Sequence, residues 1–346
     1  MKKFPLSFQL KAEDFLPASD SEKQELVVMR DSVSFWKDGL RRLLKNKVAM
    51  VSLAVIVIIM FLSFVVPSFY PYSYEEQQKG AENLRPMTYS PWEQEQMAQG
   101  KKVFPHFLGT DKLGRDYAVR IMVGSRISLT VGLVAAVIIL FIGALYGSIA
   151  AFFGGWVDII MMRIVDIIYT IPDVLLIVLI SFAVRPSLDK LSEVAGFHWI
   201  HTVGPNLISI FIVFALLYWV GMARIVRSQV LVLKESEYVT AARALGAGNG
   251  RIVRKHLLTN CIGTLIVTTT LQIPSSIFTE SYLSFLGLGV AAPLPSLGSL
   301  ASNAINGMNT YPYLLVAPAV LISLIILSFN LFGDGLRDAF DPKMKK

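Results

Sequence analysis

From Val48 to Val66 the chain runs for about nineteen residues without a charged side chain. At about 1.5 Å of rise per residue, a helix of that length crosses roughly 30 Å of hydrocarbon. Pro67 and Pro71 stop it, and Phe69, Tyr70 and Tyr72 suit a membrane–water interface. No convincing cleavage site follows the run, so it reads as a retained anchor rather than a signal peptide.

The pattern recurs. Ser128 to Phe153 forms a second apolar run, with Gly132, Gly143 and Gly147 spaced for close helix approach. A short GGWVD link leads to a third, about Ile159 to Phe182, which Pro172 should kink. Leu207 to Met222, Ile262 to about Leu286 (broken by Pro274) and Leu314 to Phe332 complete six, the last terminated by Gly333, Asp334 and Gly335. Residues 287–312, rich in Gly and Pro, suit a bent re-entrant or surface loop. With 54% hydrophobic and 16% charged residues, against about 25% charged in a soluble protein, the chain is an all-α integral membrane protein with six transmembrane helices.

The formal charge of +7 is concentrated beside the apolar runs, as membrane orientation requires, and does not point to nucleic acid. Six crossings place both termini on one side, and the basic short flanks make that side cytoplasmic. The expected organisation is a cytoplasmic extension (1–47), a first transmembrane helix (48–66), an extracytoplasmic loop (67–126), a five-helix core (127–335) and a cytoplasmic tail (336–346). Phe35, Trp36, Leu40, Leu43 and Leu44 share one helical side, so the extension should carry an amphipathic helix on the cytoplasmic lipid face.

Candidate chemistry is sparse. Asp158, Arg163 and Asp166 lie near one end of the third run, where pairing or snorkelling would hold them. Asp173, beside Pro172, is either a contact lining a pathway or gate or a partner for backbone groups that the proline frees; Glu280, in the fifth run, is the second pathway candidate. A proton relay needs more such groups than these two. His198 and His201 have i,i+3 spacing but poor acidic company, and read as interfacial histidines rather than a metal site. The single Cys261 excludes an intrachain disulfide. Phosphate-binding GxxxxGK[ST], zinc HExxH and nucleophile GxSxG motifs are absent, so neither an enzyme nor a bound cofactor is expected.

Lys234 to Asn260 is a basic, soluble-looking island between apolar runs. Strong helix formers from Glu237 to Leu245, apart from Tyr238, Val239 and Thr240, followed by Gly246, Gly248 and Gly250, predict helix, turn and short helix. Val239, Ala241, Ala242 and Leu245 give a mostly small apolar face, flanked by Glu237 and Arg243. It is either a surface for a partner or a hairpin folded back on the chain's own body.

This island resembles the cytoplasmic signature of permease subunits in binding-protein-dependent ABC importers, EAAxxxG, nine residues, then IxLP. Aligned on Gly246, the chain has Thr240, Ala241 and Ala242 at the first three places, His256 for the isoleucine, Leu258 at its own place and Thr259 for the proline, with Glu237 one turn earlier. FLGTDKLGRD (107–116), TESYLSFLGLG (279–289), PLPSLG (293–298) and FNLFGDGLRDAFDPK (329–343) resemble signatures of the C-type oligopeptide and dipeptide permeases. The resemblance implies a type I importer permease fold in a prokaryotic plasma (inner) membrane. It also implies a homologous B-type permease, two cytoplasmic ABC ATPases that use the ATP, an extracytoplasmic peptide-binding protein and an oligopeptide substrate. Glu237, Thr240, Ala241, Ala242, Arg243, Gly246 and Leu258 would then form the ATPase-coupling surface. Dipeptide, nickel or other small-solute import by the same machinery remains open, as do a gradient-driven transporter and a membrane scaffold.

Overall fold

The computed structural model describes residues 35–194, 196–198, 200, 203–290 and 293–340. The extension before Phe35, His201 and the last six residues lie outside it. Helices and loops make up everything described, with only two isolated bridges, Thr88 to His106 and Thr110 to Asp116.

Helix α1 (Phe35–Lys45) is amphipathic as expected, and Arg42 pairs with Asp38 one turn back at 2.9 Å. Its Leu43 is buried, while Trp36, Leu40 and Leu44 stay exposed. Asn46 caps α2 (Lys47–Phe64) by accepting from the Ala49 N–H, and within it Ser52 and Ser63 return their hydroxyls to Val48 and Ile59 carbonyls. Helix α3 (Pro91–Ala98) stands inside the long loop on a full capping box between Ser90 and Glu93.

Helix α4 (Tyr117–Phe153) is the central strut. It begins well before Ser128, inside the segment 67–126 expected to be loop. Asp116 caps it through the Val119 N–H, and charged residues that suggested loop are absorbed there. Arg120 is buried, and Arg126 donates to the Ser63 carbonyl that ends α2. The glycines of α4 permit close crossings: a Cβ on Gly132 would meet Ile277, one on Gly143 would meet Met222, and one on Gly147 the Ala223 carbonyl, all at 2.5 Å or less.

The expected third span is two helices, α5 (Gly155–Thr170) and α6 (Asp173–Ser192), bent by 92° at Ile171–Pro172. Pro172 is not a mild kink in one rod. It stands at the break itself, where its missing N–H forfeits nothing at the start of α6. Helix α6 also extends beyond Phe182 into residues expected to be loop. Helix α7 (Pro205–Leu233) is longer than expected and carries a π-bulge at Phe214–Tyr218. After the island comes α10 (Ile262–Phe285), which continues through Pro274 instead of breaking there. A short buried helix, α11 (Leu297–Ala304), lies in the Gly/Pro-rich segment on its own Ser296–Ser299 capping box.

Helix α12 (Tyr313–Phe340) corrects another expectation, because Gly333 and Gly335 do not end it. They are contact points: a Cβ on Gly333 would meet Leu271 at 2.5 Å, and one on Gly335 would meet Ala49 at 2.3 Å. The far end of α12 meets α1, where Trp36 and Phe340 rings stack edge to face at 5.6 Å. Among the described residues five helices are long and apolar enough to cross a membrane (α2, α4, α7, α10, α12), and six segments if the bent α5–α6 pair is one broken span. The loop up to Asp116 and the N-terminus of α12 share one end of the bundle, where Tyr313 donates to the Leu84 carbonyl at 2.8 Å. The island sits at the end where α4 finishes, because Lys234 donates to the Ala151 carbonyl at 3.1 Å.

Candidate functional site

The island folds as a hairpin. Helix α8 (Glu237–Ala244) turns at Gly246, whose φ of +82° suits glycine, and its N–H closes on the Arg243 carbonyl at 2.9 Å. The return arm, α9, runs through Asn249–Arg251, a π-turn at Ile252–Leu257 and Leu258–Asn260. Both arms are joined by Asn260, whose amide donates to Tyr238 Oη at 3.2 Å and to the His256 carbonyl at 2.6 Å. Thr259, where the family motif has proline, donates to the Arg254 carbonyl at 3.2 Å.

Of the two sequence alternatives, the structure shows the hairpin folded back on the chain's own body. Val239, Ile252 and Leu257 are fully buried in the same core cluster as Val226, Val230 and Cys261, so the hairpin is seated on the bundle. Its other side faces outward. Glu237, Thr240, Ala241, Arg243 and Gly246 are exposed, Leu245 is 88% exposed, and Ala242 and Leu258 are half-buried at the boundary. Arg243 also lies 5.6 Å over the Phe152 ring at the end of α4.

Ion pairs tie the root of the hairpin to the broken span. Arg227 grips Asp158 with two bonds of 2.6 Å, and Arg224 pairs with Asp166 at 2.9 Å while its guanidinium lies 4.3 Å over Tyr169. These pairs join α7 directly to α5.

The two intramembrane acids occupy unlike settings. Asp173 is exposed in the first turn of α6, where its carboxylate accepts from the Val174 N–H at 2.8 Å. It lines a cavity of about 490 Å³ with Pro172, Tyr169, Leu176, Tyr218 and Gly221. Glu280 is fully buried, accepting from Ser128 and Ser284 at 2.7 Å each and lying 3.4 Å from the Ser281 hydroxyl. Ser128 in turn accepts from the Leu297 N–H, so this carboxyl joins α4, α10 and the start of α11. The acids are linked only indirectly. Tyr218 on the cavity wall bonds Thr279, the residue before Glu280, at 3.2 Å.

A third cluster escaped the sequence reading. In the long loop, the buried His106 ring places Nδ1 2.7 Å from Asp116 and Nε2 3.1 Å from Glu93, the latter outside hydrogen-bond alignment, and Tyr72 stacks on it at 4.5 Å. Burial opposes the imidazolium, but the two carboxylates overcome it and raise the His106 pKa. Burial and the Glu93 charge push the Tyr72 phenol upward as well. The Ser90–Glu93 capping pattern was visible; that Glu93 and Asp116 meet around His106 was not, because loop folding brings them together. No group of three or more His, Cys, Asp or Glu side chains among the described residues, this cluster included, is arranged to hold a metal ion.

Residues 143–346 match the family described as binding-protein-dependent transport system inner membrane component. Residues 34–86 match the N-terminal TM domain of oligopeptide transport permease C. The oligopeptide transport system permease protein OppC of Bacillus subtilis is 41% identical, covering 95% of this chain and 95% of that relative. The dipeptide transport system permease protein DppC of the same organism is 38% identical over 98% and 95%, and OppC of Escherichia coli K12 36% over 93% and 95%.

Proposed function

We propose a function that proceeds from one fact, that this chain belongs to the family of binding-protein-dependent transport system inner membrane components. It is a multi-pass membrane permease component, and its task is to form half of an oligopeptide path that alternates between outward and inward openings. The observation that carries this is the seated hairpin: Val239 fixes α8 to the bundle while Leu245, Ala241 and Gly246 stand free beside it. Such an element converts movement of a docked partner into movement of α5 and α7, which is what a two-state transporter requires.

The partners are a homologous B-type permease, two cytoplasmic ABC ATPases that bind and hydrolyse the ATP, and an extracytoplasmic peptide-binding protein. The hairpin end of the bundle, with both termini, faces the cytoplasm. Glu237, Thr240, Ala241, Ala242, Arg243, Gly246 and Leu258 form the coupling surface, and Asp173 lines the path beside the break between α5 and α6. Glu280, enclosed by serines, supports the path from inside the bundle. The similarity to oligopeptide permeases across nearly the whole chain favours oligopeptides; dipeptides are the second reading, carried by the DppC similarity.

The test is reconstitution in proteoliposomes with all partner subunits. Ala242→Trp and Ala241→Trp should leave assembly intact and reduce ATP-dependent uptake more than tenfold, whereas normal uptake by assembled variants would remove the coupling role. Competition with peptides of graded length separates the oligopeptide reading, in which peptides longer than dipeptides compete best, from the dipeptide one.

A further inference from the structure

The GTDKLGRD turn ahead of α4 has no part in coupling, yet it is among the most tightly built segments of the chain. Asp111 organises it. Its Oδ1 accepts from the Leu113 and Arg115 N–H groups at 2.8 and 3.1 Å, and its Oδ2 takes the Arg115 guanidinium at 2.8 and 2.7 Å. The carboxylate is thus committed to Arg115. Arg120, one turn into α4, comes only within 3.4 Å of the same oxygen, and its Nε has no hydrogen bond. Among the described residues its one other bond runs from a terminal nitrogen to the Tyr74 carbonyl at 3.0 Å.

Arg120 is 4% exposed. A buried guanidinium sharing a carboxylate that another arginine already holds is an under-compensated charge, and burial without full pairing costs several kcal/mol. The neighbouring carboxylates cannot relieve it, since Asp116 and Glu93 face His106. Arg120 and Arg115 line a cavity of about 230 Å³ between this turn and the segment after α11, together with Lys112, Asn303 and Asn306. Three cations and three amides, those of Asn83, Asn303 and Asn306, therefore surround a space that holds one carboxylate, that of Asp111. The volume is below the roughly 300 Å³ at which ligand pockets begin, so it admits the end of a chain or a single side chain, not a whole cargo molecule.

We propose that this cavity is a carboxylate socket, in which Arg120 and Lys112 receive an acidic group presented from the loop end of the bundle. Planar guanidinium forks suit carboxylates, and Asn303 and Asn306 supply neutral donors that complete the oxygen's shell. The group is the C-terminal carboxylate of a peptide; that choice rests on the import function proposed above, whereas the socket itself does not.

Binding is measured on the purified full-length chain in detergent with trialanine and trialanine amide as probes. The free acid should bind at least tenfold more tightly than the amide, with Lys112→Glu and Arg120→Gln each weakening it about tenfold at an unchanged thermal midpoint. Because Arg120→Gln changes a buried residue, the exposed Lys112→Glu serves as the variant that leaves the fold alone. Sulfate displacing trialanine at equal concentration would reduce the site to a general anion trap and overturn the assignment. Equal binding of the free acid and the amide, or no loss with Lys112→Glu, overturns the socket. Trialanine binding with no ATP-driven uptake would keep the socket while removing the import reading.

Discussion

Gly335 and Ala49 touch backbone to side chain where α12 crosses α2, so closely that a Cβ on the glycine would lie 2.3 Å from the Ala49 Cβ. Two effects oppose each other at this position. Alanine in place of glycine inside a helix favours the helix by about 1 kcal/mol, whereas forced overpacking of a close contact costs about 1–3 kcal/mol. With backbone and a rigid methyl as the obstacle, the clash dominates. Gly335→Ala should lower the thermal midpoint of the purified protein, and the double variant Gly335→Ala/Ala49→Gly should recover most of the loss. A midpoint that rises in the single variant would show that the helices are not this close.

The Arg227–Asp158 pair joins the root of the hairpin to the first half of the broken span with two bonds of 2.6 Å. Its side chains are 33% and 14% exposed, so solvent screening reduces the Coulomb term, and a coupling energy of about 1 kcal/mol is expected instead of the larger value of a dry pair. A double-mutant cycle of Asp158→Asn and Arg227→Gln, read by chemical denaturation in nanodiscs, measures it. Uptake should fall more than stability does, since the pair carries motion between α7 and α5; equal losses in both single variants and no coupling between them would remove that role.

His106 makes the long loop sensitive to pH in a defined direction. Its pKa is raised above the ordinary 6.5, burial pulling it down and Asp116 with Glu93 pulling it further up. The folded loop therefore binds the proton more tightly than the unfolded chain does. The stabilisation is complete below pH 6.5 and is lost as pH climbs through the raised folded value. Limited proteolysis of residues 67–116 should accelerate as pH rises from 6 to 9 in the wild-type protein. His106→Gln should be cleaved faster at pH 6 and show a flat profile; a wild-type profile that is flat or reversed would contradict this.

The helices were legible where apolar runs are long, because a span must satisfy its own backbone and advertises this in uninterrupted hydrophobic sequence. Hairpin α8–α9 was legible from helix formers followed by glycines, and Gly246 does take the left-handed turn. The same residue type misled at Gly333 and Gly335, where glycine serves close approach and not termination; local sequence does not separate these uses, since the deciding neighbours, Leu271 and Ala49, are far along the chain. Pro172 and Pro274 show a parallel ambiguity, one standing at a 92° break and the other inside a continuous helix. Arg120 and Arg126 looked like loop residues because their partners, Asp111, Tyr74 and Ser63, are supplied by tertiary folding. Asp173 and Glu280 were picked out together as membrane acids, yet only burial distinguishes an open cavity wall from a serine cage.

That difference gives the two acids opposite signatures. Glu280→Ala leaves the Ser128 and Ser284 hydroxyls without their acceptor in a dry interior and opens a void, which should cost about 2–4 kcal/mol, while Glu280→Gln keeps one acceptor oxygen and should cost about half as much. Asp173 is exposed, so Asp173→Asn should stay within about 0.5 kcal/mol of the wild type. Transport should rank the other way once assembly is matched. Asp173→Asn should reduce the uptake of peptides several-fold by changing the charge of the cavity beside Tyr218, whereas assembled Glu280→Gln should retain most of it. Thermal midpoints and initial uptake rates of the three variants in one reconstituted system decide the matter: an Asp173 variant with unaltered uptake would place the path elsewhere, and a Glu280→Ala variant as stable as the wild type would show that the serine cage does not hold α4, α10 and α11 together.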